Sequence, residues 1–310
     1  MNGSIVMSVD SDLSLKALLP SMFMKPEYLS DVIYWQGHIP FAFWCIDALK
    51  PKVLVELGTH KGDSYLAFCQ AVKDMSLDTK CYAIDSWEGD EHIGQYKNSV
   101  YSDLLSYHDE RYGDFSVLIR SYFDEAVSRF EDHSIDLLHI DGLHTYDAVK
   151  SDFEAYKNKL SNRSIVLFHD ISVRQDGFGV YQFWEEICTK YPHFQFNHSN
   201  GLGVLVVGEE APDLFMDLVK APDCDTALFT AVFSGLGELV CMQRKNFELE
   251  KFMKRDLDDF SELNTALVEE NRTLVKQREE LRIQRDNLAQ KLDTGVIGFI
   301  NRFLENNQKK

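Results

Sequence analysis

Four side chains able to move a proton or hold a cation cluster in this sequence: Asp141, His144, His169 and Asp170. Asp141 and His144 follow the apolar run at residues 135–140, and His169 and Asp170 follow the one at 165–168. As neighbouring parallel strands, the two runs would bring these groups to one rim. An imidazole there, with its pKa near neutrality, can take the proton of an attacking hydroxyl, which makes His144 the candidate base. Alternatively, Asp141, His169 and Asp170 hold a divalent cation that orients the hydroxyl and lowers its pKa. Oxygen ligands suit Mg²⁺, and a histidine in the set moves the preference toward Mn²⁺, Fe²⁺ or Zn²⁺. His139 lies mid-strand among apolar residues and reads as core.

A second segment, residues 53–62 with the sequence VLVELGTHKG, reads as a buried strand, a glycine turn and the start of a helix. Its Glu-x-Gly-x-x-x-Gly spacing differs from the dinucleotide fingerprint Gly-x-Gly-x-x-Gly and puts Glu56 where that fingerprint has its first glycine. A carboxylate beside a pyrophosphate is repelled, so the turn suits a phosphate-free ligand with a positive end. S-adenosylmethionine carries an ammonium and a sulfonium and meets that description. Gly58 would let the backbone approach the ligand, Thr59 lies in the turn, and Gly62 would ease the bend into the helix. Asp85 ends the next strand, where a carboxylate can accept both ribose hydroxyl protons. Trp87 either covers an adenosine or closes the rim of the core, and Ser121 either borders an adenine or caps a helix. His92 lies in a stretch, 87–112, read as an excursion with one helix that folds over the cofactor.

The elements that must position these groups alternate. Strands are expected at 53–57, 81–84, 115–119, 135–140, 165–168 and 203–207, with helices from 63, at 122–130, 146–160 and 181–190. That rhythm predicts a doubly wound, mainly parallel α/β sheet, whose carboxyl-end rim binds ligands. Residues 1–50 form a helical lead-in, frayed at its start. Residues 51–210 form the cofactor domain and 211–243 a connecting segment, with an interruption expected at Gly235 and Gly237.

From 244 to 292 there is neither proline nor glycine, and Phe260, Leu267, Leu274, Leu281 and Leu288 recur every seven residues. This seam predicts a long helix in a coiled coil, with homo-oligomerisation as its use and a fold back onto its own domain as the alternative. The intervening core positions are Leu257, Asn264, Asn271, Arg278, Arg285 and Leu292; asparagine there selects a parallel pair and arginine costs stability. Gly295 is expected to end the helix. Within 293–310, Val296, Ile297, Phe299, Ile300, Phe303 and Leu304 make an apolar tail that could touch an assembly partner or a membrane surface.

A net charge of −18 leaves no basic surface to neutralise phosphates, which disfavours a nucleic-acid partner. The six cysteines show no Cys-x-x-Cys pair, so a reducing, cytoplasmic setting is expected. Neither a secretory signal nor an apolar run long enough to span a membrane is expected.

Residues 53–207 resemble class I S-adenosylmethionine-dependent methyltransferases of the branch found in bacterial polysaccharide and glycan modification loci. The resemblance is carried by residues 55–62 (VELGTHKG), 84–92 (IDSWEGDEH), 138–146 (LHIDGLHTY) and 166–170 (VLFHD), completed by 177–180 (GFGV) and 201–204 (GLGV). It implies a seven-stranded Rossmann-like methyltransferase sheet in which Glu56, Gly58 and Asp85 contact the cofactor. Related sugar O-methyltransferases bind Mg²⁺ through an Asp after strand four and an Asp-Asp pair after strand five. Asp141 corresponds to the first, and His169-Asp170 to the pair, with His in place of one Asp. His144 is the base candidate, displaced by one position from the relatives' base. The expected activity is O-methylation of a sugar hydroxyl in a glycan or polysaccharide precursor. Its rivals are another enzyme class on the same fold, such as a metal hydrolase, and a non-enzymatic coiled-coil scaffold.

Overall fold

In the computed structural model the described residues are 16–90, 94–95, 98–175 and 177–307. Of the expected frayed start, at 1–20, residues 1–15 lie outside them, as do His92 and the side chains of the apolar tail positions.

The chain builds one seven-stranded sheet in the order β5-β2-β1-β6-β7-β9-β8. Its strands are β1 (Val53–Leu57), β2 (Lys80–Asp85), β5 (Ser116–Arg120), β6 (Ile135–Ile140), β7 (Leu160–His169), β8 (His193–Phe196) and β9 (Leu202–Val206). A small antiparallel pair, β3 (Gly89–Asp90) and β4 (Gly94–Gln95), stands apart. The first five strands of the order are mutually parallel, and β9 runs antiparallel to both β7 and β8. Helices α1 (Ile39–Leu49), α2 (Asp63–Asp74), α3 (Asn98–Tyr112), α4 (Phe123–Ala126), α5 (Tyr146–Tyr156), α6 (Val180–Ile187) and α7 (Asp213–Lys220) precede the long α8 (Asp223–Asn307).

Period-two alternation decides which side chain meets which layer. Leu54, Leu137, Ile165 and Leu167 join the core beneath α1 and α2. Val55, Leu138, Val166 and Phe168 join the opposite one beneath α5 and α6. With both faces covered, the central strands read as continuous apolar runs, as parallel sheets require. Leu57, Asp85, Ile140 and His169 all end at one edge, so the loops that follow them share a rim.

Several expectations are corrected. Strand β8 is an additional element, and β7 begins at Leu160. The helix expected at 122–130 is a single turn, α4, followed by a 3₁₀ turn at Val127–Arg129. Gly235 and Gly237 do not interrupt α8, and Gly295 does not end it. The chain divides into two compact units between Arg244 and Lys245. Phe215 and Leu218 of α7, and Phe229, Phe233 and Val240 of α8, belong to the core of the first unit. Within Asp223–Lys291 one window is apolar enough by length and composition to cross a membrane, against the expectation of none.

Candidate functional site

The glycine turn leaves β1 with Gly58 and Gly62 at φ +88° and +89°, in the left-handed region that glycine occupies without strain. A Cβ on Gly58 would stand 2.0 Å from the carbonyl oxygen of Asp141, so this glycine allows close approach to the loop after β6. Asp85 fastens the same turn: Oδ2 accepts from the backbone N–H of Thr59 and His60, each at 2.9 Å, and Oδ1 from that of Trp87 at 2.7 Å. These three bonds leave part of the carboxylate's acceptor capacity for a ligand hydroxyl. Trp87 is buried and does not border the cavity described below; its indole N–H donates to the His60 carbonyl at 2.9 Å. It pins the turn from behind. Ser121 does border the cavity, and its hydroxyl donates to Tyr122 O and Glu125 Oε2. The residue at the N-cap of α4 is Tyr122.

Glu56 is also absent from the cavity wall. Strand alternation turns it toward the layer beneath α1 and α2, directly beside His139 of β6. His139 Nδ1 donates to Glu56 Oε2 at 2.8 Å, and Trp35 Nε1 donates to His139 Nε2 at 3.1 Å. Because an indole N–H can only donate, Nε2 must accept, and the imidazole proton sits on Nδ1. Burial pushes the Glu56 carboxyl upward, opposed by the bond from His139. Glu56 therefore fixes Trp35, which does border the cavity. Replacing Glu56 by Gln keeps an acceptor for His139, so ligand affinity should stay within about threefold of wild type. Glu56→Ala should cost about 2–4 kcal/mol in denaturant unfolding, through the hole it leaves and the orphaned Nδ1–H.

The second group comes together as its spacing implied. His144 Nε2 lies 3.0 Å from Asp170 Oδ2 and 3.9 Å from Asp141 Oδ1. His169 Nδ1 lies 3.2 Å from Asp141 Oδ1 and 3.3 Å from Asp170 Oδ2. Asp170 takes a left-handed backbone, φ +61°, and its Oδ1 accepts from Asn200 Nδ2 at 2.9 Å. The His144 ring stacks on Phe178 at 4.8 Å. Burial works against charge on His144, but hydrogen bonds to Asp141 and Asp170 outweigh it and raise the imidazole to about 9. His169 is likewise opposed by burial and held well above its ordinary value by the Asp141 and Asp170 charges. Conversely, burial would raise both carboxyls, yet the His169 charge leaves each of them lowered.

One donor set emerges. Asp141, His144 and Asp170 each offer a ligand atom within 4.8 Å of the others. His169 Nε2 donates to the Ser199 carbonyl at 3.0 Å, which leaves Nδ1 as the atom facing both carboxylates. A proton or a cation must occupy that position, since a bare lone pair there would oppose two negative oxygens. Two carboxylate oxygens and the His144 nitrogen fit a divalent ion softer than Mg²⁺, and His169 Nδ1 faces the same two carboxylates.

The turn and the cluster open onto one cavity of about 810 Å³. Its wall includes residues not singled out in the sequence. Asp63 opens α2 and accepts from Ser30 N at 2.9 Å, from the Ser30 hydroxyl and from Gln36 Nε2 at 3.0 Å. These bonds draw the lead-in, with Val32, Tyr34 and Trp35, over the cavity. Asp152 is raised to about 7 by burial and by the charge of Asp124. The acid directly after Gly62 was the one local signal for Asp63; Asp152 needed the packing of α5.

Residues 55–171 match the family model described as a methyltransferase domain. Over 203 residues the chain is 47% identical to the uncharacterized protein y4gI of Sinorhizobium fredii, a match taking in 66% of this chain and 22% of that protein. The chain thus spans about a fifth of that relative's length. Among solved structures it is similar to the O-methyltransferase TomG of Streptomyces achromogenes, involved in tomaymycin synthesis and solved with S-adenosylmethionine. That similarity has a TM-score of 0.43 and 13% identity, over 66% of this chain and 92% of that one. The Podospora anserina methyltransferase PaMTH1, solved with S-adenosylhomocysteine, gives a TM-score of 0.43 and 14% identity, over 63% and 88%. The span matched by the family model runs from β1 past the end of β7 and holds both the glycine turn and the Asp/His cluster.

Proposed function

We propose that this methyltransferase domain uses S-adenosylmethionine to methylate a sugar hydroxyl of a glycan or polysaccharide precursor. One observation carries the reading: six aspartates, Asp63, Asp85, Asp124, Asp141, Asp152 and Asp170, border the cavity, against Lys61, the raised imidazoles of His144 and His169, and no arginine. Such a wall favours a cationic ligand and repels a pyrophosphate, which is the discrimination first attributed to Glu56 alone. Gly58, Thr59, Gly62, Asp85 and Ser121 border the cofactor end, and Glu56 and Trp87 hold that end in place from behind it. The resemblance to polysaccharide-locus enzymes supports a sugar acceptor. So does a wall that mixes Tyr34, Tyr122 and Phe178 with the polar groups of Ser151, Gln175 and Asn200.

In the reaction, the acceptor oxygen attacks the sulfonium methyl in line, the sulfur–methyl bond breaks, and the hydroxyl proton leaves for His144 or solvent. Asp141, His169 and Asp170, joined by His144, would hold a divalent cation, with the imidazoles favouring Mn²⁺ over Mg²⁺. When bound, such a cation polarises an acceptor oxygen. At neutral pH without a cation, His144 already carries its proton, so it serves as a base only after that proton is displaced. The free state of all six cysteines accords with a cytoplasmic setting. The long helix would pair with a second copy of the chain, and the apolar tail would contact an assembly or a membrane surface.

Calorimetry with S-adenosylmethionine, with and without EDTA, tests the cofactor. Heat of binding should appear with the wild type and weaken at least about tenfold in Asp85→Ala, a loss of about 1.4 kcal/mol. Absence of heat from the folded wild type would refute the cofactor. Label from S-adenosylmethionine should pass to a cell-derived glycan pool; transfer to phenolic acceptors alone would refute the sugar.

A further inference from the structure

The helix beyond Arg244 presents an apolar stripe with no cover among the described residues of its own unit: Phe260, Leu267, Leu274, Leu281 and Leu288 are 48–69% exposed. Charge divides along the same stretch. Residues 256–270 hold six acidic and no basic side chains, whereas 271–291 hold six basic and three acidic ones. The helix is continuous across that change of sign. Its exposed intrahelical ion pairs, such as Arg272–Glu269 at the boundary and Arg282–Glu279 within the second half, add little.

We propose that residues 254–291 pair antiparallel with the same segment of a second copy of this chain. The inference rests on the reading that the helix self-associates, and it adds orientation and register. A parallel, in-register pair would set acidic half against acidic half and basic half against basic half. It would also stack Arg278 on Arg278 and Arg285 on Arg285 in successive core layers. Facing asparagines at 264 and 271 favour that arrangement, but two consecutive guanidinium layers oppose it.

Reversal makes the halves complementary and gives each arginine an apolar neighbour. Core layers then pair Asn271 with Leu274, Arg278 with Leu267, Arg285 with Phe260, and Asn264 with Leu281, the second residue of each pair coming from the other copy. In the layer with Phe260, the Arg285 guanidinium can lie over an aromatic ring. The same register sets Val268 against Val275 at the flank, which widens the apolar seam where the parallel arrangement would face Val275 with Glu270.

Sedimentation of the unmodified chain should show a dimer whose dissociation constant rises about fivefold or more between 50 and 500 mM NaCl, since screening weakens complementary halves. A parallel dimer would tighten instead, because salt relieves its repulsion. Distance measurement between nitroxides on Gln290→Cys supplies the second test, with Cys188→Ser, Cys224→Ser and Cys241→Ser as background. In the antiparallel register, position 290 lies across from position 255 of the other copy. The labels should then stand roughly 50 Å apart at about 1.5 Å of rise per residue. A separation below about 25 Å, or a dimer that tightens with salt, overturns the orientation and leaves self-association standing. A monomer at every salt concentration overturns both.

Discussion

Gly58→Ala should abolish S-adenosylmethionine binding at concentrations that saturate the wild type, and should destabilise the first unit by about 3 kcal/mol or more. Two costs combine at this position. Its φ of +88° is strained for any residue with a side chain, and the new methyl would meet the Asp141 carbonyl at 2.0 Å and the Gly142 amide at 2.9 Å. Those are backbone atoms at the start of the Asp/His loop, so relief requires β1 and β6 to part at the rim. Calorimetry reads the first effect and thermal unfolding the second, as a fall of about 10 °C at this size. Gly235→Ala is the matched control. It lies in α8 with nothing within 4 Å of a new Cβ, so helix propensity alone predicts a gain of up to about 1 kcal/mol. Equal behaviour of the two variants would show that Gly58 is not a close-approach position.

The second large effect is expected at Asp141. Asp141→Asn should lower methyl transfer about a thousandfold while cofactor affinity stays within about threefold, a pattern that marks loss of an interaction made in the transition state. If S-adenosylmethionine affinity falls as steeply as turnover, Asp141 belongs to cofactor binding and not to the transfer step. The same variant has a pH signature. In the cation-free protein His144 titrates near 9, above its unfolded value of about 6.5. Its contribution to stability is therefore complete below about pH 6.5 and is lost as pH rises through about 9. Asp141→Asn removes one of the two carboxylates that raise His144, so the alkaline loss should shrink and move to lower pH. Thermal unfolding of EDTA-treated protein between pH 6 and 10 follows that shift.

Much of the fold was legible in the residues. The apolar runs ending at Leu57, Asp85, Ile140 and Phe168 marked strands whose ends share a rim, and the heptad at Phe260 to Leu288 marked the long helix. Strand β8 was missed because His193–Phe196 has only two inward residues, Phe194 and Phe196, and follows Pro192. Gly295 reads as a stop because glycine commonly follows a helix, whereas α8 runs on through it to Asn307.

The meeting of Asp141, His144, His169 and Asp170 was legible because all four stand at, or within four residues after, the ends of two neighbouring strands. Glu56 was not, because its use depends on which residue of a neighbouring strand stands beside it. Register against β6 supplies His139, and no local pattern announces that pairing. Asp63 depended on Ser30 and Gln36, which meet it only after the lead-in has folded over α2.

Trp35 has a further use. Its ring borders the cavity, while its indole nitrogen is committed to an imidazole whose other nitrogen is committed in turn to Glu56. Those two bonds fix the orientation of the indole against the cavity. The wall of the cavity thus contains its own fluorophore, so occupancy can be followed optically in the unlabelled protein.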